Sequence, residues 1–283
     1  MKMNFADLSL GGGRLIQVAN RTPGQMMSYL IDCPDGGVIV IDGGAENAAD
    51  ATALRELIRQ HGNRVDQWYI THAHGDHNGA LLYLLEHGKI DFEIGTVYFN
   101  FPTDEWLATR EDWEYNKRFL PLIRNSGIPI VTPHAGDVYH LGGVRVEIIA
   151  EPIDYEEYPD INPTSIIFLV HFPARSVLFL GDFDVKGQEN FFRHFDRSKL
   201  RCDIVQMAHH GQDAVDKSFY EIIAPKICLY TAPDWLWENN YYKCNDPATK
   251  GKGPFTTLET RKWMEELGVT ASYRIADGDW IFT

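Results

Sequence analysis

The segment Thr71-His72-Ala73-His74-Gly75-Asp76-His77 follows directly on the apolar run Gln67-Trp68-Tyr69-Ile70. That run reads as a short strand, so the imidazoles and the carboxylate sit at a strand's C-terminal end. On an extended segment alternate residues point the same way, which directs His72 and His74 toward one point. Gly75 lets the chain turn, freeing Asp76 and His77 to address a neighbouring point. Imidazole nitrogen and carboxylate oxygen are donors that zinc, iron and manganese share. The segment is therefore expected to hold two divalent cations, zinc foremost, with manganese or iron as alternatives. A polar turn with surface histidines is the competing reading, and the density of ligand types argues against it.

Working outward, strands are expected at 14–19, 27–33 and 37–42, the last two joined by Pro34-Asp35-Gly36, where proline presets φ and glycine accepts a positive one. Val38-Ile39-Val40-Ile41 is continuously apolar, as in a strand covered on both faces. Asp42-Gly43-Gly44 turns into a helix at 47–61. After the histidine segment come a helix (80–87), a strand (96–99), one aromatic-rich helix (104–125), and strands at 128–131, 138–141 and 144–150. A hairpin (166–171 with 176–180), a helix (187–195), a strand (203–207), a helix (216–223) and a strand (226–230) follow. A helix (256–267) and strands 271–275 and 279–282 close the chain. Strands come first and helices then fall between strands, twice over. This predicts an α/β fold, a four-layer αββα sandwich, in one domain spanning 1–283.

Two later features supply further donors. Asp182 follows Val177-Leu178-Phe179-Leu180-Gly181, and a carboxylate at such a strand end can bridge two cations. His209-His210-Gly211 follows the strand at 203–207. Taken singly, Gly-Asp is commonly just a turn, and paired histidines at a loop mouth are commonly incidental. Three strand ends carrying His, Asp and His together are harder to dismiss.

The chain has 283 residues and a formal charge of −14, a field that repels polyanions such as long duplex nucleic acid. Cys33, Cys202, Cys228 and Cys244 form no C-x-x-C pair and read as reduced thiols, which points to the cytoplasm. An early acid and Gly11-Gly12-Gly13 leave no room for a signal-peptide stretch, and no apolar run is long enough to span a bilayer.

With these residues in view, the chain resembles the metallo-β-lactamase superfamily, and within it the hydrolase domain of ComEC-type DNA-uptake proteins and its stand-alone relatives. Asp42-Gly43-Gly44, residues 71–79, Asn162-Pro163-Thr164-Ser165, residues 178–182 and Met207-Ala208-His209-His210-Gly211 carry the resemblance. It implies His72 and His74 as first-metal ligands, Asp76 and His77 as second-metal ligands and Asp182 as the bridge. His210 is the favoured late ligand, because the superfamily often follows this histidine with glycine. His209 is then an alternative ligand or a proton donor. Many members carry another histidine before the Gly-Asp; here Asn162 stands in that region, as a weak oxygen ligand, a hydrogen-bond partner of a metal-bound water or a turn residue before Pro163. Residues 250–254, Lys-Gly-Lys-Gly-Pro, lack the Gly-His-Pro common in ComEC-like relatives. His134, His140 and His171 lie in or beside expected strands and read as structural or exposed.

The resemblance implies a metal-dependent hydrolase. Two cations roughly 3.5–4 Å apart hold a hydroxide as nucleophile, which Asp76 would orient, and His209 would protonate the leaving group. No G-x-S-x-G element offers a serine instead. The ComEC likeness favours a phosphodiester and the acidic charge a small or single-stranded one, with the aromatics of 234–243 stacking a base or packing on neighbours. An ester, thioester or lactone hydrolase, a metal-binding sensor or interaction module without turnover, and an iron-loaded redox relative are the alternatives.

Overall fold

The computed structural model describes residues 9–283; the expectation that residues 1–7 hold no signal-peptide stretch lies outside them. The strands are β1 (Arg14–Gln17), β2 (Ser28–Asp32), β3 (Val38–Asp42), β4 (Arg64–Tyr69), β5 (Glu93–Tyr98), β6 (Ile130–Val131), β7 (Val138–Leu141), β8 (Val144–Ala150), β9 (Ile167–His171), β10 (Ser176–Phe179), β11 (Ile204–Gln206), β12 (Ile227–Tyr230), β13 (Ala271–Arg274) and β14 (Trp280–Phe282). The helices are α1 (Ala48–Gln60), α2 (Gly79–Glu86), α3 (Asp104–Leu107), α4 (Trp113–Asn125), α5 (Val185–His194), α6 (Lys217–Ile223), α7 (Asp234–Trp237) and α8 (Thr257–Glu266).

Two sheets form, in the orders β14-β1-β2-β3-β4-β5-β6 and β13-β12-β11-β10-β9-β8-β7. In each, antiparallel hairpins come first and parallel strands joined through helices follow: β3, β4, β5 and β6 in one sheet, β10, β11, β12 and β13 in the other. The last strand, β14, returns to pair with β1.

Side-chain alternation builds the layers. In β3, Val38 and Val40 join a core with α1, α2 and α4, while Ile39 and Ile41 join a second core shared by both sheets. In β9, Phe168 and Val170 face that shared core, while Ile167 and Leu169 meet residues of α5, α6 and α7 in a third. Three apolar interfaces thus separate four layers, α/β/β/α. Strands that read as continuously apolar are those whose two faces are both covered. At α1, Asn47 caps the helix by accepting from Asp50 N at 2.9 Å, and Ala51, Leu54 and Ile58 supply the buried stripe. Among the described residues no helix is long and apolar enough to cross a membrane.

One expectation is corrected. The helix expected over 104–125 is two helices, α3 and α4, parted by a turn at 108–112. Residues 108–112 are all compatible with a helix, so local preference does not mark the break; side-chain bonds do. Thr109 Oγ1 donates to the Trp106 carbonyl at 2.7 Å, and Arg110 donates to the Tyr158 carbonyl at 2.8 Å. The turn sets Asp112 beside His74.

Candidate metal centre

The site forms where parallel strands of both sheets end. After β4, Thr71 N donates to Asp42 Oδ1 at 2.7 Å, and the chain then turns as His77 N and Asn78 N both bond the His74 carbonyl. After β10, Leu180 N and Gly181 N both donate to Gln206 Oε1 at 2.8 Å. Gly181 has φ +58, and a Cβ there would meet Thr71 Cβ and Ser165 Oγ at 2.9 Å, so only glycine lets this turn close against the β4 loop. Asp182 follows, its N–H held by Ser165 Oγ at 3.1 Å. After β11, His209 (φ 47) and His210 (φ 58) are consecutive left-handed residues, a conformation costing on the order of 1–3 kcal/mol each and typical of functional sites.

These turns bring together two donor sets that share one carboxylate: Asp76, His77, Asp182 and His210, and His72, His74 and Asp182, each set within 4.8 Å. His77 Nε2 lies 3.1 Å from Asp182 Oδ1; His210 Nε2 lies 3.3 Å from Asp182 Oδ2 and 3.2 Å from Asp76 Oδ2. His72 Nε2 and His74 Nδ1 are 3.0 Å apart. His77 Nε2, His210 Nε2, Asp182 Oδ1 and Asn162 Oδ1 are buried without a hydrogen-bond partner. Orphaned buried polar atoms are costly, and their convergence is what a cation site requires. The donor set fits two divalent ions.

Each histidine has a second anchor. His77 Nδ1 lies 2.6 Å from Asp42 Oδ2, His72 Nδ1 3.0 Å from Thr71 Oγ1, His210 Nδ1 2.7 Å from Thr231 Oγ1 and His74 Nε2 3.4 Å from Asp112 Oδ2. Such partners fix ring orientation and tautomer. Sequence reasoning misses all four in this role. Asp42 and Thr71 fall in motifs that carry the family resemblance, but nothing local pairs either with a histidine, and Asp112 and Thr231 carry no signal at all.

Burial pushes the His72 imidazole well below its usual range, helped by His77 and His74. Burial also opposes a charge on His77 and His210, but nearby carboxylates outweigh it. Asp182 and Asp42 hold His77 well above its usual range, and Asp182 and Asp76 raise His210 to about 9. Burial likewise works to raise Asp76 and Asp182, yet the histidines hold both carboxyls well below the usual carboxylate range. The carboxylates stay ionised and the site favours added positive charge.

The structure separates the paired late histidines. His210 is fully buried within the donor set, whereas His209 is partly exposed, with Nε2 3.8 Å from Asp182 Oδ2 and Nδ1 2.6 Å from the Asp213 carbonyl. Asn162 Nδ2 lies 3.4 Å from His209 Nε2. His134 and His171 lie elsewhere, beside Glu151 and Glu147, and His140 is exposed on β7. Of the aromatics in 234–243, Trp235 is core and donates to the Pro23 carbonyl at 2.7 Å; Tyr242 is exposed and lines the cleft beside Asp76. Trp106 is buried and Trp113 half-buried against the first core.

Comparison with known proteins agrees with this architecture. The chain is 23% identical over 184 residues to ComE operon protein 3 of Bacillus subtilis (strain 168), a match covering 63% of this chain and 21% of that protein. The matched part thus spans about a fifth of the curated relative's length. The fold is similar to the metallo-beta-lactamase fold protein YhfI from Bacillus subtilis (TM-score 0.55, 11% identity, 95% of this chain and 99% of that one). It is also similar to CmlA, a diiron beta-hydroxylase from Streptomyces venezuelae (TM-score 0.60, 15% identity, 96% of this chain and 54% of that one). The family model of the metallo-beta-lactamase superfamily matches residues 21–211, a span that holds every donor named above, and the chain belongs to that superfamily.

Proposed function

We propose that this chain, read as one domain, is a metal-dependent hydrolase that cleaves a phosphodiester in a small or single-stranded substrate. The observation that carries the reading is the pair of donor sets joined through Asp182, with ligand-type atoms left unpartnered in the interior. Two divalent ions, zinc foremost, would when bound acidify a water and stabilise charge on entering and leaving oxygens.

The protein's own residues do the rest. His72 and His74 hold one position, Asp76, His77 and His210 the other, and Asp182 ties them together. Asp76 is partly exposed at the cleft wall, where its carboxylate orients the water. His209 has Nδ1–H committed to the Asp213 carbonyl, so Nε2 is the atom that exchanges a proton with the leaving group. Asn162 Oδ1, buried without a hydrogen-bond partner, would serve as a weak ligand for the first position or bond a water held there. The rims of the clefts carry Glu46, Asp112, Asp160 and Asp184, a negative fringe that favours short substrates over long polyanions. The motif resemblance to the hydrolase domain of ComEC-type DNA-uptake proteins favours the phosphodiester over a carbonyl substrate.

The test is turnover of bis(p-nitrophenyl) phosphate against a panel of esters, thioesters and lactones at fixed Zn²⁺ or Mn²⁺, with metal analysis of the freshly purified protein. Turnover confined to carbonyl substrates, lost in Asp182→Ala, would overturn the phosphodiester assignment and leave the hydrolase. Stoichiometric metal without any turnover would leave a binding module.

A further inference from the structure

A cavity of about 680 Å³ opens beside the first donor set, lined by His74, Arg110, Asp112, Asn162, Gln25 and Tyr242 among others. Arg110 is the only lysine or arginine in that lining. Its guanidinium stacks on Trp106 with Cζ 4.0 Å from the ring centre. One Nη donates to the Tyr158 carbonyl at 2.8 Å, the other to Thr109 Oγ1 at 2.9 Å. Both partners are neutral, no carboxylate among the described residues lies within ion-pair distance, and Nε is buried without an acceptor. The arginines on the following helix differ: Arg118 and Arg124 each reach a carboxylate, at 2.7 and 2.6 Å. Three acids share the lining with Arg110. Asp112 faces His74 at 3.4 Å, Asp160 accepts from Asn162 N at 2.9 Å, and Glu111 is exposed.

We infer that Arg110 is a specificity-determining residue that grips a terminal phosphate of the substrate, while Tyr242 offers its ring to a base and the scissile diester lies at the metal centre. A guanidinium clamped by stacking and a carbonyl presents a fixed fork suited to phosphate oxygens. The turn that breaks the helix at 108–112 is what brings Arg110 to this cavity, so the break serves recognition. This rests on the phosphodiester reading and narrows it to short strands or dinucleotides bearing a terminal phosphate.

The test uses the metal-loaded protein with two thymidine dinucleotides, TpT and 5′-phosphorylated pTpT, followed by equilibrium binding and by turnover. The wild type is expected to bind pTpT at least about tenfold more tightly than TpT, the range usual for hydrogen bonds to a charged group. Arg110→Gln should bring the two within about twofold, the pTpT/TpT ratio within one variant separating loss of the phosphate contact from any general loss of binding. Arg110→Lys, which keeps the charge and loses the fork, should retain part of the preference, and it serves if the glutamine variant fails to fold. Hydrolysis without preference for pTpT, or a preference that survives in Arg110→Gln, overturns the inference and leaves the hydrolase reading standing. An Arg110-dependent preference without hydrolysis supports the Arg110–phosphate contact and overturns the phosphodiester reading. Neither binding nor turnover overturns both.

Discussion

Asp42 Oδ2 lies 2.6 Å from His77 Nδ1, although Asp42 ends β3 and His77 lies in the loop that follows β4. Asp42 is fully buried, has φ 56, and also accepts from Thr71 N and Thr71 Oγ1. It orients the histidine and braces the loop that carries it. Asp42→Asn is expected to weaken metal binding by about 10–100-fold, the usual cost of losing such a support. Isothermal titration with Zn²⁺ checks this, and unchanged affinity would remove Asp42 from the site.

Asp182 and His210 are expected to separate by stoichiometry. Asp182 touches both donor sets, so Asp182→Ala should lower metal content at both positions and reduce kcat by more than about 10³-fold. His210→Ala should lose the Asp76–His77 position first. His209→Ala should keep two metals per chain and lower kcat by about 10²-fold, as for a lost proton donor. Elemental analysis with steady-state kinetics reads all three, and loss of metal in His209→Ala would make that residue a ligand.

Metal binding should release protons in a pH-dependent way. His210 is raised from its ordinary 6.5 to about 9, and His77 also lies well above its usual range. In the metal-free protein both rings therefore keep a proton at neutral pH, and their stabilising charge is lost as pH rises through His210's folded value. A cation competing for the same nitrogens must displace those protons, so apparent affinity should climb from pH 7 toward 9. Proton release on metal binding at the His210 position, measured in buffers of differing ionisation enthalpy, should be smaller at pH 9.5 than at pH 7 by about three quarters of a proton. Equal release at both values would contradict a protonated His210 in the metal-free protein at neutral pH.

Phe219 tests the outer layer independently of the site. It is fully buried and meets the rings of Phe183, Phe191 and Phe192 at 6.0, 5.7 and 5.7 Å. Phe219→Ala should cost about 3–5 kcal/mol in urea unfolding while metal stoichiometry holds. A change below about 1 kcal/mol would mean that the aromatic cluster contributes little.

The strands, most helices and the ligand types could be read directly, because each depends on spacing along a few residues. Val38–Asp42 shows its two covered faces in its composition, Asn47 marks a helix start, and His72 to His77 announce a cation site by density. The break between α3 and α4 could not be read, since no residue in 108–112 opposes a helix and the turn is held by Tyr158, far along the chain. The role of Asp42 was hidden for the same reason: an Asp-Gly-Gly turn looks alike whether or not a histidine waits 35 residues later.

Local backbone chemistry, then, determined where the chain extends, where it coils and which donors it carries at its strand ends. Tertiary structure alone decided which donors meet. Two consecutive left-handed residues send His210 inward and leave His209 at the cleft, and strands of two sheets converge to set Asp182 between the histidines. Those choices depend on backbone angles and loop packing set by residues distant in sequence, and spacing along the chain holds no record of them.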